Sequence, residues 1–147
     1  MLGGGAKADR AREIFWPYHQ RIESELDRRQ EASRPAIVIS LHSFTPVFNR
    51  VARPWHAGEL YNHDPRFAHR LLALLNQEKN FVVGDNAPYS VSDVSDYTIP
   101  VHAERRGLHH ALIEIRQDLI SGENGQRTWA LILARLLPQA YRELATH

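Results

Sequence analysis

Two ionisable residues of this chain sit where apolar, strand-like runs end or are interrupted. His42 follows Ala36-Ile37-Val38-Ile39-Ser40-Leu41, a short β-branched run that reads as a strand buried on both faces. The ligand crevice of an open α/β sheet lies outside the carboxyl ends of its strands, and an imidazole there can bind a metal or move a proton. Ser43 and Thr45 could supply further hydrogen bonds, and the structural alternative is a His that caps a loop carbonyl. Glu114 interrupts the run His110-Ala111-Leu112-Ile113-Glu114-Ile115. A carboxylate buried in a strand is costly unless it is paired. Arg116, two residues on and therefore on the same face, could supply the charge. One reading is a structural ion pair at a sheet end; the other is a general base whose pKa is set by burial and a neighbouring cation.

The elements that must position these groups follow from periodicity. Ile14, Tyr18, Ile22 and Leu26 recur every fourth residue and predict a long helix, with a kink or restart near Trp16 because Pro17 lacks a backbone donor. A weak strand is expected at residues 57–61. A helix capped by Asp64, with Pro65 at its first position, then places Phe67, Leu71, Leu74 and Leu75 on one side. Phe81-Val82-Val83 reads as a strand stopping at Gly84. Residues 85–107 form a polar stretch too long for an ordinary connection, the kind that serves as a lid or binding loop, with a short helix around 101–106. Residues 125–144 read as a closing amphipathic helix with Trp129, Leu133, Leu136, Ala140 and Tyr141 inward. The alternation of helices and strands predicts an α/β layered sheet.

Composition excludes several classes. The 147 residues carry 18 Lys+Arg against 17 Asp+Glu, with no basic stripe of the kind that binds nucleic acid. No apolar run is long enough to cross a bilayer, no signal peptide is legible, and a cytoplasmic protein is the default. The absence of Cys rules out thiolate sites and disulfide staples. Nine His residues are unusual, but His56, His63 and His69 show no metal-ligand spacing, and His102, beside Glu104, Arg105 and Arg106, reads best as part of a solvated charged face. His109 and His110 flank the last strand.

Several segments in order carry a resemblance. Ile39-Ser40-Leu41-His42-Ser43-Phe44-Thr45-Pro46 and Leu112-Ile113-Glu114-Ile115-Arg116-Gln117-Asp118-Leu119-Ile120 resemble paired signatures of the N-formylglutamate amidohydrolase family. Arg53-Pro54-Trp55-His56, Val83-Gly84-Asp85-Asn86-Ala87-Pro88-Tyr89-Ser90 and residues 96–102 resemble that family too, although Ala87 and His109 depart from its usual Glu and Pro. The family is similar in fold and site to zinc carboxypeptidases and succinylglutamate desuccinylases. The resemblance implies an α/β/α layered, phosphorylase/hydrolase-like fold with a mostly parallel mixed sheet. It also implies that His42 is the last of three zinc ligands. Glu114 is then the general base that takes a proton from water and returns it to the leaving amine, and Arg116 holds a substrate carboxylate or the tetrahedral oxyanion. The implied reaction hydrolyses a small-molecule N-formyl or N-acyl amino acid, such as N-formylglutamate, to formate and free amino acid.

The resemblance covers only the C-terminal portion of the family pattern, from about Ala11 onward after a flexible start at residues 1–10. Family members carry a further N-terminal region that contributes the other two zinc ligands. This chain is therefore expected to be inactive or incomplete by itself, and to self-associate through a strand edge the missing part would cover. The alternative is a non-catalytic remnant or carboxylate-binding module of the same fold.

Overall fold

The computed structural model describes residues 4–145. Two compact units divide at residue 36. The first is helical. Helix α1 (Gly4–Arg10) runs into a wide π turn (Ala11–Phe15) and on into α2 (Trp16–Glu31). Pro17 cannot close the normal backbone bond, and the Trp16 N–H reaches back to the Ala11 carbonyl instead, so the helix widens and restarts as its sequence predicts. Two expectations are corrected here. Residues 4–10, read as part of a flexible start, are helical, while residues 1–3 lie outside the described residues. Of the Ile14–Leu26 stripe only Leu26 is buried, whereas Ile14 and Tyr18 are exposed.

The second unit is built on a four-stranded mixed sheet of order β1-β6-β4-β5. Its strands are β1 (Ile37–Phe44), β4 (Ala57–Leu60), β5 (Val83–Asp85) and β6 (His109–Arg116), and a small hairpin of β2 (Val47–Phe48) and β3 (Val51–Ala52) follows β1. β1 and β6 are parallel, β6 and β4 antiparallel, β4 and β5 parallel. This is the expected α/β fold with a mostly parallel sheet. β5 starts two residues later than its apolar run suggests, because Val83 and Asp85 are the residues that pair with Ala57 and Glu59.

Strand parity separates two faces. Ala57, Ala111, Ile113 and Ile115 point to one side, where α3 (Arg66–Leu75) and α4 (Glu123–Ala145) bury Phe67, Leu71, Trp129, Leu133 and Leu136 against them. α3 starts one residue later than expected, with Pro65 rather than Asp64 at its N-cap, and Asp64 just ahead of it accepts a hydrogen bond from the Arg66 N–H at 3.1 Å. The opposite face carries Ser40 and His42 from β1, Leu112 and Glu114 from β6, and Gly58 and Leu60 from β4.

β1 is a sheet edge among the described residues, with Leu41 56% exposed, so the expectation of a strand buried on both faces holds only for its first half. The long polar loop lies on the opposite face and owes its place to glycine. A Cβ on Gly58 would run into the Ala87 carbonyl oxygen, and one on Gly84 would stand 2.7 Å from the same atom. Asn86, at a positive φ of 47°, turns the chain there, donating its N–H to the Glu59 carbonyl and accepting the Tyr61 N–H on its side chain.

Candidate active site

His42 and Glu114 are direct neighbours in the β1–β6 register, so their side chains rise from adjacent strands on one face. Together with Leu60, Leu112, Tyr89, Val91 and Asp96 they line a cleft of about 230 Å³ between the sheet and the loop after β5. Glu114 is buried, and its Oε2 has no hydrogen-bond partner. Burial pushes its carboxyl above the ordinary carboxylate range, while the charges of His42 and Arg53 pull the other way. His42 Nε2 lies 3.0 Å from Ser40 Oγ, which orients the ring and leaves Nδ1 for another partner.

Arg116 does not make the expected pair with Glu114. Its Nε and Nη2 donate to Asp118 at 2.8 and 3.2 Å, and its Nη1 donates to the carbonyls of Arg53, Pro54 and Trp55 at 3.2–3.5 Å. The reason is local: β6 ends at Arg116 and a 3-10 turn (Gln117–Ile120) swings Asp118 alongside it. This bidentate contact also holds the Asp118 carboxyl below its usual range.

Arg116 thus staples the segment that carries Arg53, a residue the sequence placed in a motif but gave no role. The Arg53 guanidinium stacks at 4.7 Å over the Phe48 ring and 4.8 Å over the Tyr89 ring, and it donates to the Tyr89 hydroxyl at 2.9 Å. The small β2–β3 hairpin makes this possible. It turns through Asn49 and Arg50, both at positive φ, and brings Phe48 beneath Arg53.

Other expectations about His change as well. His102 is buried rather than on a solvated face, and His109 lies within β6 together with His110, which opened the expected strand run. His63, whose sequence spacing shows no metal-ligand pattern, meets Asp93 and Glu104 in space.

A model of N-formylglutamate amidohydrolases matches residues 3–121. The chain belongs to the N-formylglutamate amidohydrolase family. The match begins ahead of the quoted motifs and takes in α1 and α2. Among solved structures, the gene product Atu2144 from Agrobacterium tumefaciens is similar at 33% identity with a TM-score of 0.91, over 98% of this chain and 57% of that one. The chain therefore spans little more than half the length of that protein. No curated protein matches. No helix among the described residues is long and apolar enough to cross a membrane.

For this N-formylglutamate amidohydrolase-family chain, the zinc implied by the resemblance can be tested against the donors present. A catalytic zinc takes three protein ligands and keeps one position open. Among the described residues the metal-ligating side chains that gather in a group of three are His63, Asp93 and Glu104, not neighbours of His42. The donor set around His42 does not by itself fit a catalytic zinc.

Proposed function

We propose that this chain carries the general-base half of an amide-hydrolysing site acting on N-formyl or N-acyl amino acids such as N-formylglutamate, releasing formate and the free amino acid. Family membership supports the hydrolase class. The observation that carries the residue assignment is Glu114: a buried carboxylate with an unpartnered oxygen, facing a cleft in register with His42. In this reading Glu114 takes a proton from the attacking water and delivers it to the leaving amine, which requires only hydrogen-bond reach and a pKa raised towards the working pH. His42 is assigned as one of three zinc ligands, the other two being those that the N-terminal region of family members contributes. The direct test is formate release from N-formylglutamate by the purified chain, alone and together with the N-terminal portion of a full-length family member. Release above background in either case supports the proposal; none in both overturns it.

Arg53, rather than Arg116, is assigned to the substrate carboxylate. Its electrostatic effect reaches Glu114, its aromatic bed fixes the guanidinium, and Arg116 is already committed to Asp118 and three carbonyls. A charged hydrogen bond is worth about 1.5–3 kcal/mol, so Arg53→Ala is expected to raise KM for N-formylglutamate by roughly 10–100-fold with a much smaller change in kcat. Steady-state kinetics checks this, and an unchanged KM would remove Arg53 from the site. The same arginine is the observation that favours the alternative, a carboxylate-binding module without metal. Glutamate binding by chelator-treated protein in the absence of any turnover would select that reading.

A further inference from the structure

Tyr89 lines the His42–Glu114 cleft and meets Arg53 in two ways. Its ring lies 4.8 Å from the guanidinium, and its hydroxyl oxygen accepts a hydrogen bond from Arg53 Nη1 at 2.9 Å. The loop after β5 sets this contact. The turn at Asn86 and the close seat of the Ala87 carbonyl against Gly58 and Gly84 fix the chain just ahead of Tyr89.

The hydrogen-bonding chemistry of the pair is one-sided. A guanidinium has five N–H donors and no acceptor, and Arg53 gives one of them to Tyr89. Its other side-chain N–H groups meet no acceptor among the described residues. A tyrosine hydroxyl has a single hydrogen, and with its oxygen held by Arg53 that hydrogen is left to donate. It too meets no acceptor among the described residues. Asp96, a carboxylate that lines the same cleft, already takes the Ser92 N–H at 2.9 Å and the Ser95 hydroxyl at 2.7 Å on its Oδ2. The rings of Phe48 and Tyr89 pack against the guanidinium, so a ligand is left its N–H edge.

We propose that Tyr89 is a specificity-determining residue: its O–H and the N–H edge of Arg53 form a donor-only pocket that takes a carboxylate of the N-acyl amino acid and rejects the corresponding carboxamide. Both oxygens of a carboxylate accept, so it answers the guanidinium fork and the hydroxyl together. A carboxamide turns its own NH2 towards one of those donors, leaves that donor unpaired and loses the ionic part of the contact. The inference rests on the assignment of Arg53 to the substrate carboxylate. It deepens that assignment by naming the substrate class as acyl amino acids whose recognised carboxyl is free and ionised.

The test is an NMR titration of the full chain with N-formylglutamate and with its monoamides, N-formylglutamine and N-formylglutamate α-amide. At least one monoamide should bind about tenfold or more weakly than the diacid. Tyr89→Phe keeps the ring against Arg53 and removes only the hydroxyl, and it should shrink that preference by roughly threefold or more. A role confined to holding the loop would change the affinity for acid and amide alike and leave their ratio where it was. The amide spectrum of the variant verifies that it is folded. No saturable binding of the diacid, monoamides that bind as tightly as the diacid, or an acid preference unchanged in Tyr89→Phe overturns the proposal. Formate release decides the amide-hydrolysis reading separately: an acid preference that depends on Tyr89, with no release, would sink that reading and leave this one standing, and release with an unchanged preference would do the reverse.

Discussion

Glu114→Gln is expected to lower turnover of N-formylglutamate by about 10²–10⁴-fold, the usual contribution of a positioned general base. Gln keeps the shape and loses the ability to accept the proton. The residue's stability behaviour should run the other way. Burial raises the Glu114 carboxyl, and a group whose folded pKa lies above its unfolded value contributes stability at low pH that is lost as pH rises between the two. At neutral pH the Gln variant should therefore melt no lower than the parent. Activity lost without stability lost is the signature of a site rather than of a structural ion pair. The pH profile adds a second reading. Glu114 works ionised, so kcat/KM should fall as pH drops through a pKa above that of a free carboxyl. Arg53→Ala, which removes a cation that opposes the rise, should move that acid limb to higher pH. A Gln variant that turns over normally, or an acid limb that moves down in Arg53→Ala, would contradict the assignment.

Which parts of this site were legible in the sequence follows from how local each signal is. β1 and β6 announce themselves as continuous apolar runs, and their polar interruptions, His42 and Glu114, prove to be paired neighbours. β4 is the weakest strand by composition, since Gly58 and Glu59 lie in its middle, yet it is an interior strand and all four of its residues are buried. Tertiary context overrides strand propensity there: Gly58 is needed because the Ala87 carbonyl lies against it. Parity put Arg116 on the face of Glu114 correctly, but parity says nothing of a chain that leaves the strand at that residue and brings Asp118 alongside. Arg53 was hidden for the opposite reason. Its position depends on a two-residue hairpin turn whose Asn49 is the one local hint. His63, Asp93 and Glu104 had no sequence signal, because His63 stands 30 and 41 residues from its partners and only the folded loop joins them.

Glu59 yields the second large effect, this time on stability. It sits in β4, in register with Ile113 and Asp85 and with the parity of Ala57, so it enters the apolar side of the sheet. It is 0% exposed, and neither carboxylate oxygen has a hydrogen-bond partner. Desolvation therefore holds its carboxyl well above the ordinary carboxylate range and favours the protonated form in the folded protein. Unfolding releases it to water, where it ionises near its free value of about 4.3. The unfolded state then binds fewer protons than the native one, so stability falls as pH rises above that value and levels off only beyond the raised pKa. Glu59→Gln removes the titration but keeps a polar group in place, so its melting temperature should match the parent's at pH 4 and exceed it increasingly as the pH is raised above the free carboxyl range. Glu59→Met removes the unsatisfied polar group as well, worth about 1–3 kcal/mol, and should melt higher at both pH values, by roughly 3–10 °C at neutral pH. The two variants separate ionisation from burial: a Gln variant whose advantage does not grow with pH would show that Glu59 finds a charged partner in solution, and a Met variant that melts lower would show that its side chain is held by contacts Met cannot replace.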